Sequence, residues 1–348
     1  MMLKPEHKVA ILLHHGILGP KGKTGLTMLR YGRQDIVAVI DRECAGRPLE
    51  KCAGIDRDVP VVETVEKAAE LGADVLVIGI APSGGRLPPE WRDELVVAIR
   101  NGMSLVNGLH SPLSEDPRLR EEMDDDQWIR DVRREPDGLS IARGRAAELS
   151  CTRVLTVGTD MAIGKKCTAL EMTETARRRG MESRFVATGQ SGIIISGRGV
   201  AIDAVRVDYA ASAIENAVLE AGDRADVVFL EGQGSLLHPG SSATLPLIRG
   251  MQPTHLVLVH RPDRSHLHGF PDLKIPPLSR VGELYETVAA AAGVLYPAEV
   301  AAISLNTSAM GESEARAAIE SAARETDLPC TDPIRYGADA LVEAILCR

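Results

Sequence analysis

The stretch "VLTVGTDMAIGKKCTALEM", residues 154–172, joins an apolar run to a helix-forming run through glycines and lysines. These are the parts of a phosphate cradle. Gly158 and Gly164 let backbone N–H groups converge on anionic oxygens, with Thr159 between them. Lys165 supplies charge to an outer phosphate, and the helix that follows points its N-terminus at the anion. Two departures from the ordinary motif matter. Five residues separate the glycines, where the standard loop has four. The position after the lysine, which normally carries a Mg²⁺-binding hydroxyl, is Lys166. Cys167 follows, and Thr168 lies on a different helix face. A protonated lysine cannot ligate a metal, but it can hold another anionic oxygen. The loop therefore keeps anion binding better than it keeps metal-assisted phosphoryl transfer. Asp160 falls inside the loop, near any reacting group.

A second chemical stretch is "ADVVFLEGQGSLLHPGSS". Four apolar residues precede Glu231, which then stands at a strand end as a Mg²⁺ ligand, a general base, or a helix-capping or ion-pairing acid. Gly232 and Gly234 allow a close backbone approach, and Gln233, Ser235 and His238 add polar groups. "FVATGQSGI" sets Thr188, Gln190 and Ser191 in a loop, and "ISLNTS" ends in Asn306. "VHRPDRSHLHG" contributes His260, Arg264, His266 and His268. The last two suit a metal only with a third ligand, so surface positions are their ordinary reading.

These residues need a frame, and the apolar runs supply one. "KVAILLH", "DIVAVID", "ADVLVIGIA" and "SLVNGL" alternate with helical stretches in the first half. "RVLTVG", "SRFVAT", "DVVFLEG", "HLVLVH" and "VAAISLN" do so in the second. That alternation predicts βαβ units and two parallel sheets, an α/β protein. Length divides it into a Rossmann-like domain over 1–112, a charged connector over 113–150 and a P-loop domain over 151–348. The acidic run Asp124–Asp126 in the connector reads as a solvated helix face. In the first domain, Asp41 ends the second strand, either as a ribose-binding acid or as a turn former beside Arg42. Lys23 and Thr24 form a small "GKT". Ser83 and His110 fall at strand ends and would line a crevice.

Composition narrows the function classes. Net charge is −9 with no basic stripe, which disfavours nucleic acid and anionic membrane as partners. The apolar runs are too short to span a bilayer. Six cysteines without a C-x-x-C pair read as reduced thiols of a cytoplasmic protein. Cys167, beside the loop lysine, packs under the helix on the ordinary reading. A closed homo-oligomer is the common state for such enzymes.

The loop "GTDxxxGK" resembles that of dethiobiotin synthetase-like P-loop enzymes. By that analogy Asn306 and the Asp332–Pro333 loop would read an adenine ring. The wider combination is more specific. "GKTG", "LVNGLH", "GTDxxxGK", "TGQSG", "LEGQGSLLHP" and "VLVHRP" resemble the DgcN-type family, long of unknown function and typified by a D-glutamate N-acetyltransferase. The resemblance spans nearly the whole chain. It implies acetyl transfer from acetyl-CoA to the amine of a small acidic D-amino acid. Lys165 and Lys166 would then dock the CoA phosphates, and Glu231 or His238 would take the amine proton. Gln190, Ser191, Gln233, Ser235, His260 and Arg264 would serve the substrate. The alternative is an ATP-dependent ligase or kinase, with Asp160 and Glu231 holding Mg²⁺. A non-catalytic nucleotide sensor leaves "EGQGSLLH" without a task.

Overall fold

The computed structural model describes residues 3–4, 6–19, 21–81 and 85–346. Its α/β chain divides into two compact units. One comprises Met1–Arg134 with Gln190–Ala201, the other Glu135–Gly189 with Ile202–Arg348.

The first unit holds six parallel strands: β1 (Lys8–Leu12), β2 (Asp35–Ile40), β3 (Val61–Val62), β4 (Val75–Ile78), β5 (Ser104–Asn107) and β6 (Ile129–Asp131). Their order, β3-β2-β1-β4-β5-β6, reverses direction between β1 and β4, as in a Rossmann-like sheet. The central strands are buried along nearly their whole length, which is why they read as unbroken Val/Ile/Leu runs. β6 lies inside the stretch read as a connector and pairs with β5. Its sequence, "IRD", is too short and polar to announce a strand. Asp124–Asp126 are exposed as expected, but in a turn rather than on a helix.

The helix Gln190–Ser196 also belongs to this unit. Ser191 Oγ shares a 2.8 Å hydrogen bond with Thr24 Oγ1, and Gln34 Nε2 donates to the Ile195 carbonyl at 3.3 Å. Gln190 and Ser191 therefore open a helix of the first unit instead of standing in a loop of the second.

The second unit repeats the layout with β7 (Thr152–Gly158), β8 (Ser183–Val186), β9 (Val227–Leu230) and β10 (His255–His260). An exposed antiparallel hairpin follows, β11 (His266–Leu267) and β12 (Phe270–Lys274), and then β13 (Glu299–Leu305) and β14 (Cys330–Thr331). The parallel sheet runs β14-β13-β10-β7-β9-β8, a P-loop NTPase-like arrangement. β7 is central, so the loops that leave β7, β9 and β10 converge at one edge of the sheet. Among the described residues no helix is long and apolar enough to cross a membrane.

Candidate functional site

The loop after β7 is built largely by its own neighbours. Gly164 takes φ +117°, a conformation open to glycine, and caps the 14-residue helix Lys165–Arg178. Ala162 is also left-handed, at φ +53°. Thr159 N–H donates to the Val259 carbonyl, and Asn306 Nδ2 reaches from the end of β13 to the Ile163 carbonyl at 3.0 Å. Asn306 thus braces the loop from its far side. Lys165 Nζ curls back and donates to the Asp160 carbonyl at 2.7 Å. Lys165 and Lys166 are both buried, at 5% and 7% exposure, and are the first two residues of the helix.

Asp160 is fully buried and its carboxylate is fully engaged. Oδ1 accepts Met161 N–H at 2.7 Å, and Oδ2 accepts His268 N–H at 2.9 Å and Arg264 Nη1 at 3.1 Å. It therefore latches the β10–β12 segment onto the phosphate loop. Arg264 Nη1 also donates to the Met161 carbonyl at 3.2 Å. The Thr168 hydroxyl bonds Ser304 Oγ at 2.8 Å, away from any Mg²⁺ role. Cys167 is half-buried on the same helix.

Glu231 lies just beyond β9. Its Oε2 accepts Thr188 N–H at 3.0 Å and Gly189 N–H at 3.3 Å, while its carbonyl accepts the Thr188 hydroxyl at 2.7 Å. The next residue meets the phosphate loop directly. A Cβ at Gly232 would lie 1.7 Å from the Thr156 carbonyl oxygen and 2.9 Å from Lys165 Cδ. Glycine is needed there so that the backbone after the acid can run against the loop lysine. Gln233 packs its amide nitrogen against Gly189.

His238 has both ring nitrogens hydrogen-bonded. Gly240 N–H donates to its Nδ1 at 3.1 Å, and its Nε2 bonds the His268 carbonyl at 3.1 Å, which fixes the Nε2–H tautomer. With Phe270 edge-on at 5.2 Å, it joins the β9 loop to the hairpin. Ser235 is likewise spent inside its loop, accepting Leu237 N–H at 3.1 Å. His266 and His268 belong to no group of three potential metal ligands among the described residues. Asp332 accepts Thr307 and Ile334 N–H groups and caps a short helix, so it shapes its loop and has no oxygen left for a base.

His260 ends β10 with Thr159 Oγ1 2.9 Å from its Nδ1. Burial pushes its pKa down to about 4, against the opposing pull of Asp263 and Asp160. It is neutral near pH 7.

In the first unit, Asp41 is fully buried and accepts N–H groups of Glu43 and Cys44, at 2.9 and 3.2 Å. It forms the turn and has no exposed oxygen for a ribose. His110 packs its ring over Gly85, and burial lowers its pKa. Ser83 lies outside the described residues. Cys44 and Cys330 are pushed up to about 12, chiefly by burial, and are poor nucleophiles.

Tyr285 carries a task that its sequence did not advertise. Its hydroxyl donates to the Gly158 carbonyl at 2.8 Å and accepts Leu236 N–H at 3.1 Å, pinning the phosphate loop to the β9 loop. The one available signal was a lone aromatic in the Ala-rich run "ELYETVAAAAG".

The fold and site define a two-unit α/β protein, Rossmann-like followed by P-loop NTPase-like. A family model described as "Domain of unknown function (DUF1611_C) P-loop domain" matches residues 140–342. One described as "Domain of unknown function (DUF1611_N) Rossmann-like domain" matches 42–135. The chain belongs to the DUF1611 family. A protein of Tritonibacter scottomollicae named D-glutamate N-acetyltransferase is 39% identical over 284 residues, covering 81% of this chain and 84% of the relative. One of the same name from a Pseudoalteromonas species is 36% identical, covering 81% and 83%. The crystal structure of a DUF1611 family protein from Anabaena variabilis ATCC 29413 superposes with a TM-score of 0.95 at 54% identity. The match covers 99% of this chain and 100% of that one.

Proposed function

We propose that this chain is an N-acetyltransferase that moves the acetyl group of acetyl-CoA to the amine of a small acidic D-amino acid, D-glutamate being the leading candidate. The observation that carries the reading is the pair of relatives of that name, each matching four-fifths of the chain. The site chemistry supports it. Two buried lysines at a helix N-terminus suit the phosphates of CoA. Lys166 at the hydroxyl position, Thr168 tied to Ser304 and Asp160 locked by N–H donors disfavour a Mg²⁺-dependent loop. The loop then grips a polyanionic handle without cleaving it.

Acyl transfer requires a free amine near the thioester carbon. In this scheme the substrate ammonium gives one proton to Glu231. Its nitrogen attacks the acetyl carbon, a C–N bond forms and the C–S bond breaks. The CoA thiolate leaves with the second amine proton. Purified protein with acetyl-CoA and D-glutamate should release free thiol and N-acetylated product. A Glu231→Gln variant should lose turnover with acetyl-CoA affinity intact. No thiol release with any acidic amino acid contradicts the proposal.

One feature favours a second reading, an ATP-dependent ligase or kinase. The backbone of Gly232, next to Glu231, runs against the Lys165 stem, which suits an acid near a terminal phosphate. Mg²⁺-dependent ADP release in the presence of a small acid would support it.

A further inference from the structure

Beside the phosphate loop, within the second unit, lies a cleft of about 340 Å³ lined by His260, Arg264, Lys274, Leu278 and Glu325 among others. Its groups are arranged by chemistry that can be followed atom by atom. The Thr159 side chain is fully buried, so its hydroxyl proton needs a protein acceptor. Its hydrogen-bond partner is His260 Nδ1, so the hydroxyl donates there. His260 must then carry its proton on Nε2, the nitrogen without a protein partner among the described residues. Arg264 spends Nη1 on Asp160 and Met161, which leaves its other nitrogens unmatched among those residues. Lys274 lies on the exposed strand β12 with no anionic partner among them. The lining also includes Glu325, one of whose oxygens is taken by Leu278 N–H at 2.5 Å.

The lining thus offers a guanidinium, an ammonium and a neutral N–H donor. The Asp160 charge is already matched by the Arg264 nitrogen that holds it. This is the complement of a molecule with two carboxylates. We propose that the cleft is the acceptor subsite for an acidic amino acid. Arg264 and His260 Nε2–H hold one carboxylate, and Lys274 holds the other. The assignment rests on the acetyltransferase reading and adds to it a specificity residue, Lys274, that sequence motifs did not flag. Lys274 selects for the second carboxylate, so a neutral analogue such as D-glutamine has no use for it.

Lys274→Ala and Lys274→Glu test this, because the residue is exposed and its side chain makes no hydrogen bond or ion pair among the described residues. Losing one charge-assisted hydrogen bond raises KM about tenfold. The expected result is a KM for D-glutamate raised by about that factor in K274A and more in K274E. The KM for acetyl-CoA and the use of D-glutamine should stay as in wild type. An unchanged KM for D-glutamate, or a rise confined to acetyl-CoA, overturns the assignment. Calorimetry with D-glutamate alone separates this claim from the reaction class. Binding by wild type that K274E loses supports the subsite even if no acetyl transfer occurs. No binding by wild type, or equal binding by both, removes it.

Discussion

Exchanging Asp160 for Asn separates two accounts of the phosphate loop. As a latch, the carboxylate accepts three N–H donors, one of them from a guanidinium, at full burial. Asn keeps one acceptor oxygen and turns its NH₂ toward a donor that the lost oxygen satisfied. A neutral hydrogen bond contributes about 0.5–1.5 kcal/mol and one to a charged group about 1.5–3 kcal/mol. Losing the charge assistance and at least one bond sums to about 3 kcal/mol. For a unit of about 200 residues, each kcal/mol lowers Tm by about 2–4 °C, so D160N should melt about 6–12 °C below wild type. Scanning calorimetry reads that shift, and acetyl-CoA titration should show weakened binding as the β10–β12 segment loosens. If Asp160 served a metal or a reacting group instead, removing its charge would abolish turnover and leave the melting point unchanged or raised. That outcome would refute the latch.

Three further expectations follow from the same geometry. Tyr285→Phe removes the hydroxyl shared by the Gly158 carbonyl and Leu236 N–H, and should cost about 1–3 kcal/mol, measured by denaturant titration. Gly232→Ala drives a methyl into the Thr156 carbonyl and toward Lys165; soluble protein with unchanged acetyl-CoA affinity would argue against the close approach. His260 binds fewer protons folded than unfolded between about pH 4 and its ordinary pKa near 6.5. Stability should therefore rise with pH across that window and be lost as pH falls toward 4, and His260→Gln should flatten this slope in melting curves.

The α/β layering was legible because strands buried on both faces must be Val, Ile, Leu and Ala throughout. β3, β6 and β14 escaped notice, since two- or three-residue edge strands carry no period. The glycine turn between β7 and its helix was legible from Gly158, Gly164 and the lysines that follow. The roles of Asp160 and His238 were not readable. A carboxylate in a loop looks the same in sequence whether it faces a metal or three N–H groups. His238 looks like a base until both its nitrogens are traced to Gly240 and His268. Arg153 shows the same limit. It is buried at the start of β7, with its guanidinium on the carbonyls of Gln252, Leu149 and Cys151, partners brought together by the fold alone. Gln190 and Ser191 follow "VATG" in sequence, yet their helix packs in the first unit, where Gly192, Ile193, Ile194 and Ile195 are all buried.

In the proposed activity Lys165 and Lys166 hold the phosphates of a CoA thioester. Isothermal calorimetry with acetyl-CoA, CoA, ATP and ADP, each with and without Mg²⁺, tests it most directly, with Lys165→Ala as the control. Acetyl-CoA and CoA should bind without Mg²⁺, and K165A should abolish that binding. Mg²⁺-dependent binding of ATP with no heat from either thiol carrier, or full acetyl-CoA affinity in K165A, would contradict it.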